Sequence, residues 1–310
     1  MKRNEYLPEG MLLNTLRNVS LLKNYDTLSK ALAEGVILEA RCVLCDENMD
    51  LHIDLGFCMG IIPRCECGFS KCGRIKDIAV LSRVGKPVCF KVTDIIPAPD
   101  GSKKVLLSRK AAQEECMTEY IERLLPGDVI NARMTHFENY GGFADIGCGI
   151  ISLLPIDCMS VSRISHPRDR FRNGQVIKAV VKNSADQFGR VTLTHRELLG
   201  TWEENAAKFT SGQTAAGIVR SIEDYGVFIE LAPNLAGLAE AHPDVQVGQS
   251  AAVYIKNIIP DRMKVKLAII DCIDREASIP DYEYPEIDHI DRWKYSPDGC
   301  EKLIESVFEG

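Results

Sequence analysis

The chain has no apolar run long enough to span a membrane. Its first ten residues carry charges without an apolar core, so they do not read as a secretory signal. The stretch 11–22 looks apolar at first, but Asn14, Arg17 and Asn18 interrupt it. Also missing are a phosphate-cradling glycine loop, an HExxH pair and a nucleophile elbow, the common sequence marks of an enzyme. These absences point to a cytoplasmic protein with no catalytic role, no cofactor, no membrane partner and no small-molecule substrate. Local acid/base pairing is equally sparse: His166 near Asp169 is the most suggestive case among six histidines.

Cysteine, by contrast, is plentiful, with twelve in 310 residues. Without a signal sequence these do not form a secreted disulfide framework. Most stand singly in apolar segments, where a reduced thiol behaves as a small hydrophobe. Cys42 and Cys45 make one CxxC, and Cys65, Cys67 and Cys72 crowd into eight residues. The latter three are candidate zinc ligands, although no second CxxC faces them as paired zinc spacing requires.

The net charge of −7 is unevenly spread. Residues 35–110 carry 12 basic against 9 acidic side chains, and residues 126–199 carry 9 against 7. Residues 211–271 carry 5 against 7, and the tail 272–310 carries 4 against 11. Acidity gathered at one end leaves room for a polyanion partner elsewhere.

Self-similarity organises the rest. Asp54-Leu55-Gly56, Asp145-Ile146-Gly147 and Glu230-Leu231-Ala232 each end an alternating stretch. Val84-Gly85-Lys86, Asn173-Gly174-Gln175 and Val247-Gly248-Gln249 each precede another. Each unit closes on alternating residues, as in Val191-Thr192-Leu193-Thr194. Period-two patterning between glycine turns predicts short strands, and five per unit suit a small closed barrel. The expected architecture is all-β: three tandem five-stranded barrels over 35–110, 126–199 and 211–271. Helical linkers are expected at 111–125 and 200–210, the latter opened by a capping box of Thr201 and Glu204, with Trp202 wedged between two barrels. A helical segment covers 1–34, with Gly35 ending its last helix. The acidic tail 272–310 is expected to carry a terminal helix from Ser296 through Phe308, with Pro297 at its first position, and to fold Trp293, Leu303, Ile304 and Phe308 back on the third barrel.

In the second unit Phe137, Tyr140 and Phe143 surround the Tyr140-Gly141-Gly142 bend; in the third, Tyr225 and Phe228 flank Gly226. Rings beside a bare glycine surface offer flat faces on which bases can stack, while Phe137 is assigned to the core. His136, Arg190 and Lys178 add polar and positive groups in the second unit, and the loop 160–172 supplies Arg163, Arg168 and Arg170. The third has Lys256 and Lys264. Guanidinium and ammonium groups suit phosphate. The first unit is divergent, with Met49 and His52 where the second has Tyr140 and Phe143.

These phrases resemble the RNA-binding domain of the ribosomal protein S-one family, an oligonucleotide/oligosaccharide-binding (OB) barrel. The resemblance is carried by Pro126-Gly127-Asp128-Val129, by Tyr140-Gly141-Gly142-Phe143-Ala144-Asp145-Ile146-Gly147 and by Arg190-Val191-Thr192-Leu193-Thr194-His195-Arg196. Copy three matches through 217–228, and copy one only in outline. The resemblance implies RNA contacts from two strand-two aromatics, carried over to Tyr140 and Phe143 and to Tyr225 and Phe228. It implies a strand-five basic residue, carried over to Arg190 and Lys264. The family's strand-three histidine has no counterpart: Pro63, Pro155 and Glu240 stand there. The implied function is binding of single-stranded RNA, mRNA among the candidates, linked to translation and to the small ribosomal subunit. The alternative is a protein-interaction scaffold with little RNA affinity of its own.

Overall fold

A computed structural model describes residues 6–308 except 72, 74, 98–100, 102, 243–244, 274–278 and 280. Two helices open the chain, α1 (Leu16–Leu21) and α2 (Tyr25–Glu34). Asn24 and Thr27 form a reciprocal cap on α2, and Gly35 ends it in the left-handed region at φ 63°.

The first barrel runs β1 (Leu38–Cys45), β2 (Leu51–Asp54), β3 (Met59–Ile62), β4 (Pro87–Pro97) and β5 (Lys103–Ser108), with a short helix α3 (Asp77–Leu81) before β4. The helix α4 (Arg109–Glu119) leads to the second: β6 (Val129–Glu138), β7 (Gly141–Asp145), β8 (Ile151–Pro155), β9 (Val176–Asn183) and β10 (Thr192–Thr194). After α5 (Trp202–Ala206) comes the third: β11 (Thr214–Glu223), β12 (Gly226–Ala232), β13 (Leu235–Ala239), β14 (Ser250–Ile259) and β15 (Lys264–Ile273). Each set closes into a barrel in the same order, strands one, two, three, five and four, with strand one paired to strand four. Pairing is antiparallel except between strands three and five. Closure leaves no unpaired edge.

A one-residue bulge recurs in strand one of all three barrels, between Cys42 and Leu44, Met134 and His136, and Val219 and Ser221. It fixes which strand-two residue faces outward. His52, Phe143 and Phe228 pair with Leu44, His136 and Ser221, so the three occupy one structural position.

The barrels are tied at both seams. Glu9 is buried between the first two: its carboxylate takes Arg109 Nε at 2.8 Å and Arg83 Nη1 at 3.2 Å, and its amide donates to Asp145 at 2.7 Å. Burial and the Glu9 charge push Asp145 up to about 7. At the second seam Arg170, with no exposed surface, meets Glu230 at 2.6 Å, and Arg220 reaches Glu230 at 2.8 Å and Asp169 at 3.5 Å.

The tail departs from the expected helix. Residues 292–308 form a hairpin, β16 (Arg292–Lys294) with β17 (Glu305–Val307). Ser296 does not cap a helix: its hydroxyl donates to Lys302 O and accepts from Ile304 N, closing the hairpin loop, and Gly299 at φ 81° breaks any helical turn. Trp293 and Tyr295 join the third barrel's core, with Ile304 packed against it, but Leu303 is exposed and Phe308 packs on Val129, Val180 and Leu198 of the second barrel's side. Trp202 lies in the same cluster as Trp293 and Tyr295, against which Val161 of the second barrel's β8–β9 loop also packs.

Candidate nucleic-acid interface

The β7–β8–β10 sheet of the second barrel presents the aromatic site. Gly141 lets β7 lie close against β8, where a Cβ would come within 2.7 Å of Leu154 O, and Gly142 makes room for the β6 side chain Met134, whose Cε a Cβ would approach to 2.5 Å. Tyr140, just before them, is 59% exposed, and Phe143 is half-buried. Their rings meet edge to face at 6.1 Å and 85°. His136, opposite Phe143 in register, stacks on it at 4.3 Å and 4°, making a parallel pair of rings on the surface. Phe137 packs against the barrel core, as its position predicts.

Register carries this face across the sheet. Phe143 lies opposite Leu153, and Leu153 opposite Thr192. Arg190, two residues before Thr192, is exposed while Val191 is buried, so Arg190 points to the same side. Its guanidinium meets Asp186 at 2.8 Å. Hydrogen bonds from the Arg190 backbone and side chain hold the Asp186 carboxyl below its usual range.

The third barrel repeats the geometry. Tyr225 and Phe228 meet at 6.1 Å and 90°. They line a groove of about 490 Å³ with Leu238, Met263, Lys264 and Lys266. Lys256 also lines it but pairs with Glu240 at 2.7 Å, and that bond holds Glu240 below the ordinary carboxylate range. In the first barrel the same position holds His52, bound to Asp46 at 2.9 Å.

Four expected residues stand apart from this face. Arg170 was expected to meet phosphate, and it does not: it is sealed in the seam with Glu230, beyond reach of a polyanion. Lys178 is half-buried on β9 opposite Asn131 and beside Tyr284 of the tail. Arg163 and Arg168 are exposed on the β8–β9 loop, whose Ser162 donates to Pro233 O of the third barrel. His166 and Asp169 form a reciprocal cap of a short helical turn rather than an acid/base pair.

Of the zinc candidates, Cys67 is buried, with its thiol directed at Pro63 O at 3.4 Å and Ile62 O at 3.7 Å. Burial pushes the Cys67 thiol up to about 12. Cys65 is exposed, and Cys72 lies outside the described residues. Sequence reasoning missed Phe188, exposed in the β9–β10 turn, although D-x-F-G-R is a visible turn phrase.

No family model matches the chain. It is 26% identical over 295 residues to the small ribosomal subunit protein bS1 of Staphylococcus aureus, covering 90% of this chain and 71% of that protein. The bS1 of Staphylococcus haemolyticus is likewise 26% identical, over 283 residues, with 86% and 69% covered. Among solved structures, a multidomain protein with nucleic acid binding domains from Streptococcus pneumoniae aligns over 78% of this chain and 75% of that one. Its identity is 12% and its TM-score 0.24, an overlap that carries no argument.

Proposed function

From its homology to bacterial ribosomal protein bS1, we propose that this chain binds single-stranded RNA without catalysis, in a role linked to translation and the small ribosomal subunit. The second barrel is the principal site. The observation that carries the reading is the surface cluster of Tyr140, Phe143 and His136, beside Arg190 on one sheet face. Stacking of a base on an aromatic ring is worth about 1–3 kcal/mol and accepts any base, so two rings give affinity without sequence selection. Tyr225 and Phe228 provide a second, weaker platform with Lys264; Glu240 takes up Lys256 there and opposes phosphate. His52, tied to Asp46, leaves the first barrel without a ring pair for stacking.

The test is fluorescence anisotropy of a short unstructured labelled RNA against wild type and a Tyr140→Ala/Phe143→Ala variant, at two salt concentrations. The expected loss is about 2 kcal/mol or more. Affinity should also fall with salt at a log–log slope of about −0.7 per phosphate contact. Equal binding by both proteins would refute the reading and leave the scaffold alternative.

A further inference from the structure

Phe188 is an exposed aromatic on the second barrel that the strand-two site does not use. It is 41% exposed at the tip of the turn between β9 and β10. We propose that Phe188 is a third base-stacking platform, continuing the face of Tyr140 and Phe143 past Arg190 toward the first barrel; this rests on the RNA reading of that face.

Its position follows from strand register. Adjacent strands lie roughly 4.8 Å apart, so Thr192, two strands from Phe143, is about 10 Å across the sheet. Arg190 is on the same outer side one pleat further along, and its guanidinium carbon lies 4.9 Å from the centre of the Phe188 ring. The ring therefore borders the face that holds the other platforms.

The turn is also held in shape. The Phe188 and Arg190 amides donate to Asp186 Oδ1 at 2.8 and 2.9 Å, while Asp186 Oδ2 fixes the guanidinium at 2.8 Å. Gly189 takes φ 74° and sits so tightly on α4 that a Cβ there would be 2.8 Å from Met117 Sδ, with Lys71 Cδ of the first barrel at 3.7 Å. A loop packed from behind has little freedom left to lose on binding, which favours affinity.

The turn itself does not require an aromatic. By register, Lys264 of the third barrel matches Arg190, so Arg262 takes the place of Phe188 and Met263, also left-handed at φ 48°, that of Gly189. The same turn thus forms with a charged residue at its tip. An exposed ring carrying a cation against it is instead suited to a base, which gains both stacking and the cation's attraction.

The experiment uses the full chain and an unstructured RNA of about twelve nucleotides, within the span of a single OB barrel. Anisotropy is measured for wild type, Phe188→Ala, Phe188→Leu and Tyr140→Ala/Phe143→Ala. Photocrosslinking of the same RNA, carrying 5-iodouridine, is mapped by mass spectrometry. Phe188→Ala and Phe188→Leu should each weaken binding about tenfold, since leucine restores bulk but not a flat face. An adduct should form on Phe188. Unchanged affinity in the Phe188 variants, with loss in the double variant, overturns this platform and leaves the RNA reading standing. Loss of affinity without an adduct at Phe188 assigns the residue to turn support and overturns the platform too. Failure of wild type to bind removes both readings.

Discussion

Replacing Arg170 with methionine keeps the length of the side-chain stem and removes its charge. In the folded chain Arg170 has no exposed surface; its Nη2 lies 2.6 Å from Glu230 and its Nε donates to Ser160 at 3.0 Å. Removing one partner of a buried ion pair costs about 3–5 kcal/mol, because the remaining charge stays buried. Glu230 would keep Arg220 at 2.8 Å, which places the expected cost near the low end, about 3 kcal/mol. The chain offers a selective probe of this seam. It has two tryptophans, Trp202 and Trp293, both buried in the third barrel's core. Urea unfolding followed by their fluorescence therefore reports on the barrel that Glu230 belongs to. With a slope of about 2 kcal/mol/M, the midpoint of Arg170→Met should fall by about 1.5 M. RNA affinity, read on the folded variant at low denaturant, should stay near wild type. An unmoved midpoint, or a loss of RNA affinity as large as that of Tyr140→Ala/Phe143→Ala, would refute this account of Arg170.

Two further predictions concern the second barrel's underside and the tail. Burial depresses His195, packed against Phe171 and bonded to Tyr284, to about 4. Because the unfolded chain protonates near 6.5, the contribution of neutral His195 is complete above that pH and is lost as pH falls from 6.5 to 4. The stability difference between wild type and His195→Phe should shift against wild type by on the order of 3 kcal/mol across that window; a pH-independent difference in urea titrations would sink the idea. Truncation after residue 279 removes Trp293, Tyr295 and Phe308 from the cores they complete. At about 1.5–3 kcal/mol per large buried side chain, the melting temperature should drop clearly in differential scanning fluorimetry, and an unchanged value would mean that the tail only rests on the surface.

Much of the barrel fold was legible because its cause is local. Period-two alternation and glycine turns recur three times, and β9 opens at Val176, directly after the Asn173-Gly174-Gln175 turn that precedes an alternating stretch. The position of Phe143 and Phe228 beside a glycine bend could be read the same way, since the turn and both rings of each pair lie within four residues. Arg170 could not. Its partner is sixty residues away, and arginine in a polar loop is ordinarily solvated, so its burial follows from barrel docking alone. The hairpin at 292–308 was hidden for a related reason: Ser-Pro-Asp reads as a helix start, but burial of Trp293 and Phe308 against two different barrels favours an extended path. Glu9 gave no signal at all, being one acidic residue near a terminus whose arginine partners lie 74 and 100 residues on.

The ties at the seams bear on how a long strand would be held. Were the second and third barrels joined by a flexible linker, a strand bound at Tyr140 would meet Tyr225 at an effective concentration set by the linker's wandering. Arg170, Glu230 and the tail replace that wandering with one arrangement. A strand long enough to reach both ring pairs would find the second already in place, while a shorter one would gain nothing from it. On the proposed function, the stapled seam makes the protein a gauge of how much unpaired RNA is on offer.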